Sequence, residues 1–187
     1  MACISSLLFS TACMHASMGG VRAIYLALRS DIVTAVPDTD YPRDIKITAG
    51  TAKLQRYPVR GSFQSVAQVD EQTGQSYYQD ELAVQLSSFA EFVEPQKVLE
   101  ILQAAGPDEI VAIVELWNGK KFVMGYGRIN AATSDIVDTP VFFSAGQIVS
   151  GTERGDQNGM NFTLTSAHPL PACNAVIVAG VNNNSTD

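Results

Sequence analysis

An antiparallel β-sandwich or small β-barrel with one flanking α-helix is the fold this sequence predicts, and three features predict it. Apolar and polar residues alternate from Tyr77 to Leu86, Asn118-Gly119 divides two β-rich apolar runs, and one segment after Pro95 has its apolar residues at helical spacing. The strands that these patterns imply outnumber the helix heavily. At this chain length the sum is about eight to ten strands in two packed layers or a closed sheet.

Taken in order, Ser6 to Met14 and Val21 to Leu28 read as two strands joined through Gly19-Gly20. Val36 to Pro42 holds two prolines and reads as part of an extended loop, from about residue 34 to 43, after which Ile45 and Ile47 open a strand. Lys53 to Tyr57 continues the sheet until Pro58. Phe63, Ser65, Ala67 and Val69 share one face of the next strand, and Asp70 to Gln75 turns it into the following one. There Tyr78, Asp80, Leu82, Val84 and Leu86 alternate with Tyr77, Gln79, Glu81, Ala83 and Gln85, so one face is mostly apolar and the other mostly polar.

Glu94-Pro95 opens the helix, Val98, Leu99, Ile101, Leu102 and Ala105 form its apolar side, and Gly106-Pro107 closes it. Ile110 to Val114 and Lys121 to Tyr126 then make a hairpin, for which Asn118-Gly119 predicts a type I′ turn. Ile129 to Ile136 is polar enough for a loop or edge strand, and Val141 to Phe143 is a short strand between Pro140 and Gly146. A polar loop from Ser150 to Gly159 leads into Met160, Phe162 and Leu164 at strand alternation. Ala175 to Ala179 is the last apolar strand, and Asn182 to Asp187 is a polar tail.

Length and composition favour a single domain over residues 1–187, since 46% hydrophobic content supplies a full core. The 12 basic and 19 acidic residues leave a net charge of −7, which disfavours a surface that holds phosphate backbones. Cys3, Cys13 and Cys173 are widely and irregularly spaced, with no metal-ligand pattern, and are expected to be buried or idle thiols. The apolar stretch before Cys13 lacks a preceding Lys or Arg and has Ser10 three residues upstream, so an ordinary first strand is expected there rather than a lipoprotein signal. No run approaches the roughly 20 apolar residues of a membrane-spanning helix.

The residues that could carry chemistry do not assemble into a reaction. His15 and His168 are far apart and lie in no nucleophile motif, so both are expected at the surface or in turns. Asp80 and Glu81 are neighbours on a strand and point to opposite faces. Asp156, Asn158 and Gly159 fall short of a calcium loop, and Arg154-Gly155-Asp156 is a tripeptide too short to specify an integrin partner. The sequons at Asn161 and Asn184 have no supporting context. A non-enzyme without metal or cofactor is expected.

With these residues in view, the chain resembles bacteriophage tail tube proteins, in particular divergent ones from phages of Bacteroidetes hosts. The resemblance rests on "GGVRAIYLA" near the start, the strand from Gln75 to Phe89 before the helix at Pro95, "VAIVELWNGKKFVMGYG" and "SGTERGDQNGMNFTLTS", and covers roughly two-thirds of the chain. It implies a β-sandwich or β-barrel core whose copies join their sheets into one inner barrel. The partners implied are further copies in hexameric or other stacked rings, neighbouring tail and connector proteins, and phage DNA that passes without specific binding, with no membrane involved. The location implied is the virion tail, assembled in the host cytoplasm.

On that resemblance Gln79, Glu81 and Gln85 are expected to face the lumen, within an acidic lining. The loops carrying Asp38 and Asp40, and Glu153, Arg154 and Asp156, are expected to meet the adjacent ring. Other readings of the same residues are a ring or adaptor at the tail end or head-to-tail joint, a type VI secretion tube protein, and a secreted or lipid-anchored β-sandwich binding protein.

Overall fold

The computed structural model describes residues 20–38, 44–87, 95–128, 136–149 and 159–183. These residues are mainly β, in more than one sheet, with one α-helix. The first strand among the described residues, β1, is Val21–Leu28, a strand expected there, and a 3-10 turn at Arg29–Asp31 leads to β2, Ile32–Pro37. β2 corrects the expectation of a loop beginning at Thr34. Val33, Thr34 and Val36 are β-branched, and β2 pairs with β3, Asp44–Ala49, through a bulge at Val33. β4 is Leu54–Pro58, β5 Arg60–Val69 and β6 Ser76–Ser87, followed by the helix α1, Pro95–Ala104.

The expected hairpin is β7, Ile110–Leu116, with β8, Lys121–Met124. Its turn is not type I′. Gly119 has φ +82°, whereas Asn118 has no positive φ, and the Gly119 N–H donates to the Leu116 carbonyl at 2.9 Å. Trp117-Asn118-Gly119 therefore forms a three-residue loop with glycine alone in the left-handed region, because Leu116 pairs with Lys120 rather than closing one residue sooner. β9 is Tyr126–Arg128, β10 Ile136–Asp138, β11 Val141–Val149, β12 Gly159–His168, β13 Asn174–Ala179 and β14 Val181–Asn183.

Fourteen strands among the described residues exceed the eight to ten expected. Positive φ at Gly125 breaks a run that read as continuous, β11 carries through Gly146, and Asn182 belongs to β14 rather than to a tail. The expected first strand from Ser6 and its turn at Gly19 lie outside the described residues.

Eight strands form one sheet in the order β14-β4-β1-β7-β8-β13-β3-β2, four form another in the order β11-β12-β6-β5, and β9 and β10 make a separate ribbon. β13 pairs with β3 near one side of the large sheet, yet β14, one residue later, pairs with β4 near the other. A chain advances at most about 3.6 Å per residue, so the large sheet must roll up. The bend falls at Gly180, φ +94°, where a Cβ would lie 2.4 Å from the Ala49 carbonyl oxygen. Glycine is the residue that fits both that angle and that approach.

Rolling gives the large sheet two apolar faces. Tyr25, Ile45, Ile47, Leu54, Val111, Ile113 and Val123 form the core on one of them, with Cys173 buried beside them. On the other, Ile24, Leu26, Ala112, Val114 and Met124 share one buried cluster with Leu82, Val84, Leu86, Met160, Phe162 and Leu164 of the four-stranded sheet. α1 closes the flank with buried Val98 and Leu102, but Ile101 is 56% exposed, so its apolar face is narrower than its sequence suggests.

Candidate assembly surface

The four-stranded sheet buries one face and presents the other. On β6 the row Asp80, Leu82, Val84 and Leu86 is fully buried, and Gln79, Glu81, Ala83 and Gln85 project from the opposite side, as their alternation requires. Register extends that outer face across every strand of the sheet. Gln85 stands beside Arg60 and Asn161, Ala83 beside Ser62 and Thr163, and Glu81 beside Gln64 and Thr165.

Side-chain amides tie this face together. Gln64 donates to Glu81 at 2.8 Å, Gln68 donates to Gln79 at 2.7 Å, and the Tyr77 hydroxyl donates to Gln68 at 2.9 Å. Arg60 and Glu81 are its only charges among the described residues. The expected acidic lining is thus absent from this face, which is amide-rich and close to neutral. The chain's acidic residues stand elsewhere, for example Asp31, Asp108, Glu109 and Asp138 around the ends of the strands.

Both edges of the sheet are strands to which no further strand pairs among the described residues, although the Val141 N–H at the start of β11 donates to the Pro107 carbonyl at 2.7 Å and α1 packs beside that strand. β5 is ten residues long and carries one charge, Arg60 at its first position; β11 is nine residues long and carries none. Beyond Phe63, which stacks on Phe122 at 5.3 Å, β5 runs past the shared buried cluster, and Ser65, Val66, Ala67 and Val69 are all exposed. On β11, Phe142 and Ile148 are each about half exposed, and a bulge at Ser144 lets its hydroxyl donate to the Thr163 carbonyl.

The two ends of the sheet differ. At one end β5 and β6 continue beyond the last β6–β12 pair, Tyr78 with His168, into the turn Asp70 to Gln75. The Asp70 carboxylate accepts the Gln72 N–H at 2.8 Å, and Gly74 donates to the Asp70 carbonyl with φ +68°. These contacts, the Gln72 N–H first and the Thr73 hydroxyl second, hold the Asp70 carboxyl below its ordinary range. At the opposite end the outer face sinks into an open groove of about 710 Å³ around Ser62, Ala83, Ala145 and Thr163, bordered by Arg60, Gln85, Gln147 and Asn161.

Of the loop residues expected at an inter-ring contact, Asp38 is 7% exposed, its N–H donates to the Asp44 carbonyl, and its carboxylate pairs with Lys46 at 3.1 Å. It anchors the β2–β3 connection. Asp40, Glu153, Arg154 and Asp156 lie outside the described residues, as does His15.

Two polar clusters lie away from this face. His168, expected at the surface, is buried, with Nε2 2.8 Å from Asp80 Oδ2. Asp80 occupies the apolar row of β6, and a carboxylate there calls for a partner, which is the signal that sequence reading passed over. In the second cluster Tyr25 donates to Glu115 at 2.7 Å, while Arg56 and Arg22 reach Glu115 at 3.8 and 3.5 Å. Burial first, and the Glu115 contact second, raises the Tyr25 phenol above its ordinary 10.0.

Among the described residues no group of three or more His, Cys, Asp or Glu side chains is placed to hold a metal ion, and no helix is long and apolar enough to cross a membrane. No family model matches this chain, and no curated protein or solved structure matches it either.

Proposed function

We propose that this chain is a virion structural protein of the phage tail-tube type, whose copies join edge to edge into rings that stack into a DNA-conducting tube. The observation that carries this reading is the pair of long, nearly uncharged strands, β5 and β11, that border one sheet with no further strand paired to them among the described residues. Proteins that stay monomeric blunt such edges with lysine, proline, short strands or a covering helix or loop, and among the described residues these two strands have only the bulge at Ser144 and the cover that Pro107 and α1 give the start of β11.

Strand direction supports the same conclusion. β5, β6, β12 and β11 alternate in direction, so β5 and β11 run opposite to each other. Rotating a second copy about an axis along the strands preserves direction, and its β11 then meets β5 of the first in an antiparallel ladder. Such a heterologous contact closes into a ring when the rotation divides the circle. The half-exposed Val66 and Phe142 become covered at the joint.

The outer face suits a lumen. Gln79, Glu81 and Gln85, with the amides around them, offer no cluster of cations to grip phosphates, so DNA slides past without counterion release. Neighbouring tail and connector proteins meet the end rings, and the protein performs no catalysis in this role.

Negative-stain microscopy with light scattering of the purified protein tests the reading. Rings or tubes are expected from the native chain, and folded monomers from a Val66→Lys, Ala145→Lys variant with charges on both edges. A native protein that remains monomeric at every concentration contradicts it.

A further inference from the structure

Two features of the four-stranded sheet stand at opposite ends of the same strands. One is the β5–β6 tip, built on the Asp70 turn, with Glu71 exposed and Val69 65% exposed. The other is the groove of about 710 Å³, floored by small residues such as Ser62, Ala83 and Ala145 and bordered by Arg60. Arg60 is exposed and has no ion pair among the described residues, and neither does Glu71.

We infer that the tip of one copy seats in the groove of the copy stacked on it, on the lumen side of that copy's wall, with Glu71 and Asp70 against Arg60. This rests on the ring reading and names the surface that joins ring to ring. The tip is preorganised: the Gln72 and Thr73 N–H groups fix the Asp70 carboxylate, and Gly74 takes the left-handed turn, so little ordering is lost on contact. The charge on the tip is negative, and Arg60 is the single cation on the outer face among the described residues. The floor of small side chains leaves room for Val69, which is 65% exposed.

The arrangement also sets polarity. Each copy has its tip at one end and its groove at the other, so the contact is head-to-tail and generates an open stack rather than a closed pair. Rings joined this way all point in one direction.

A charge swap on the full-length protein, read by electron microscopy as the number of rings per stack, tests the inference. Glu71→Lys and Arg60→Glu are each expected to give single rings or short stacks, and the double variant to restore long stacks. Glu71 is chosen because Asp70 holds the turn. High salt is expected to shorten native stacks, since an exposed pair is screened. Single variants that stack like the native protein, or a double variant that fails to recover, overturn the inference while leaving the rings in place. Absence of rings in the native protein overturns the ring reading itself, and this inference with it.

Discussion

His168 and Asp80 meet inside the protein with Nε2 and Oδ2 2.8 Å apart and side chains that are 1% and 0% exposed. The imidazole and the carboxyl group are in contact without an aligned hydrogen bond, and Nδ1 and the second carboxyl oxygen have no hydrogen-bond partner among the described residues. The pair joins the end of β12 to β6, and Gly127 lies so close that a Cβ there would be 2.9 Å from Nδ1. Removing one partner leaves the other charge or dipole stranded, so Asp80→Ala or His168→Ala is expected to cost about 3–5 kcal/mol. Replacing both with leucine is expected to cost less than either single change. Urea denaturation of the three variants checks the order, and a double variant less stable than both singles contradicts it.

The bend at Gly180 makes a second expectation. Alanine there would need φ near +94° and would place its Cβ 2.4 Å from the Ala49 carbonyl oxygen, so β13 and β14 could not both keep their pairings. Gly180→Ala is expected to destabilise by about 2–4 kcal/mol, the size typical of a backbone clash at a special φ. Thermal unfolding measures this. An unchanged midpoint would mean that the rolled sheet does not depend on the bend.

Ala52 shows the opposite case, with φ +56° in the connection between β3 and β4. An L-residue pays about 1–2 kcal/mol for that conformation, partly offset in a comparison with glycine by glycine's greater freedom when unfolded. Ala52→Gly is therefore expected to stabilise by about 0.5 kcal/mol. A lower unfolding midpoint for the variant would count against the strain assigned here.

Three phenols link stability to alkaline pH. Burial raises Tyr57 above its ordinary 10.0, and burial is also the largest cause of the increase at Tyr25 and Tyr126. A raised folded value means that the neutral phenol is favoured by the fold. The stabilisation is fully present below pH 10 and is lost as pH climbs through the raised folded values. Urea midpoints are expected to fall above pH 10, and to fall less steeply in Tyr57→Phe. An equal slope in that variant contradicts the contribution of Tyr57.

Some of this molecule was legible from local pattern. β6 reads directly from Tyr77 to Leu86 because one face is buried and one is not, and the period of a strand makes that visible. β1, α1 and the β7–β8 hairpin follow from the same logic. β2 was hidden because the bulge at Val33 breaks its alternation, and β14 because three residues with two asparagines read as polar tail until β4 supplies a partner. The His168–Asp80 contact depends on strand register between β6 and β12, which no local pattern encodes. The outer face was legible as Gln79, Glu81 and Gln85, whereas its neutrality depends on which strands of the chain join it.

A reconstruction of the assembled particles by electron cryomicroscopy tests the central claim most directly. The account predicts an inner wall built from β5, β6, β12 and β11 of every copy, with β5 hydrogen-bonded to β11 of the next and Gln79, Glu81 and Gln85 facing the lumen. Particles in which these three side chains lie on the outer surface, or in which the β5 and β11 edges remain unpaired, would contradict it.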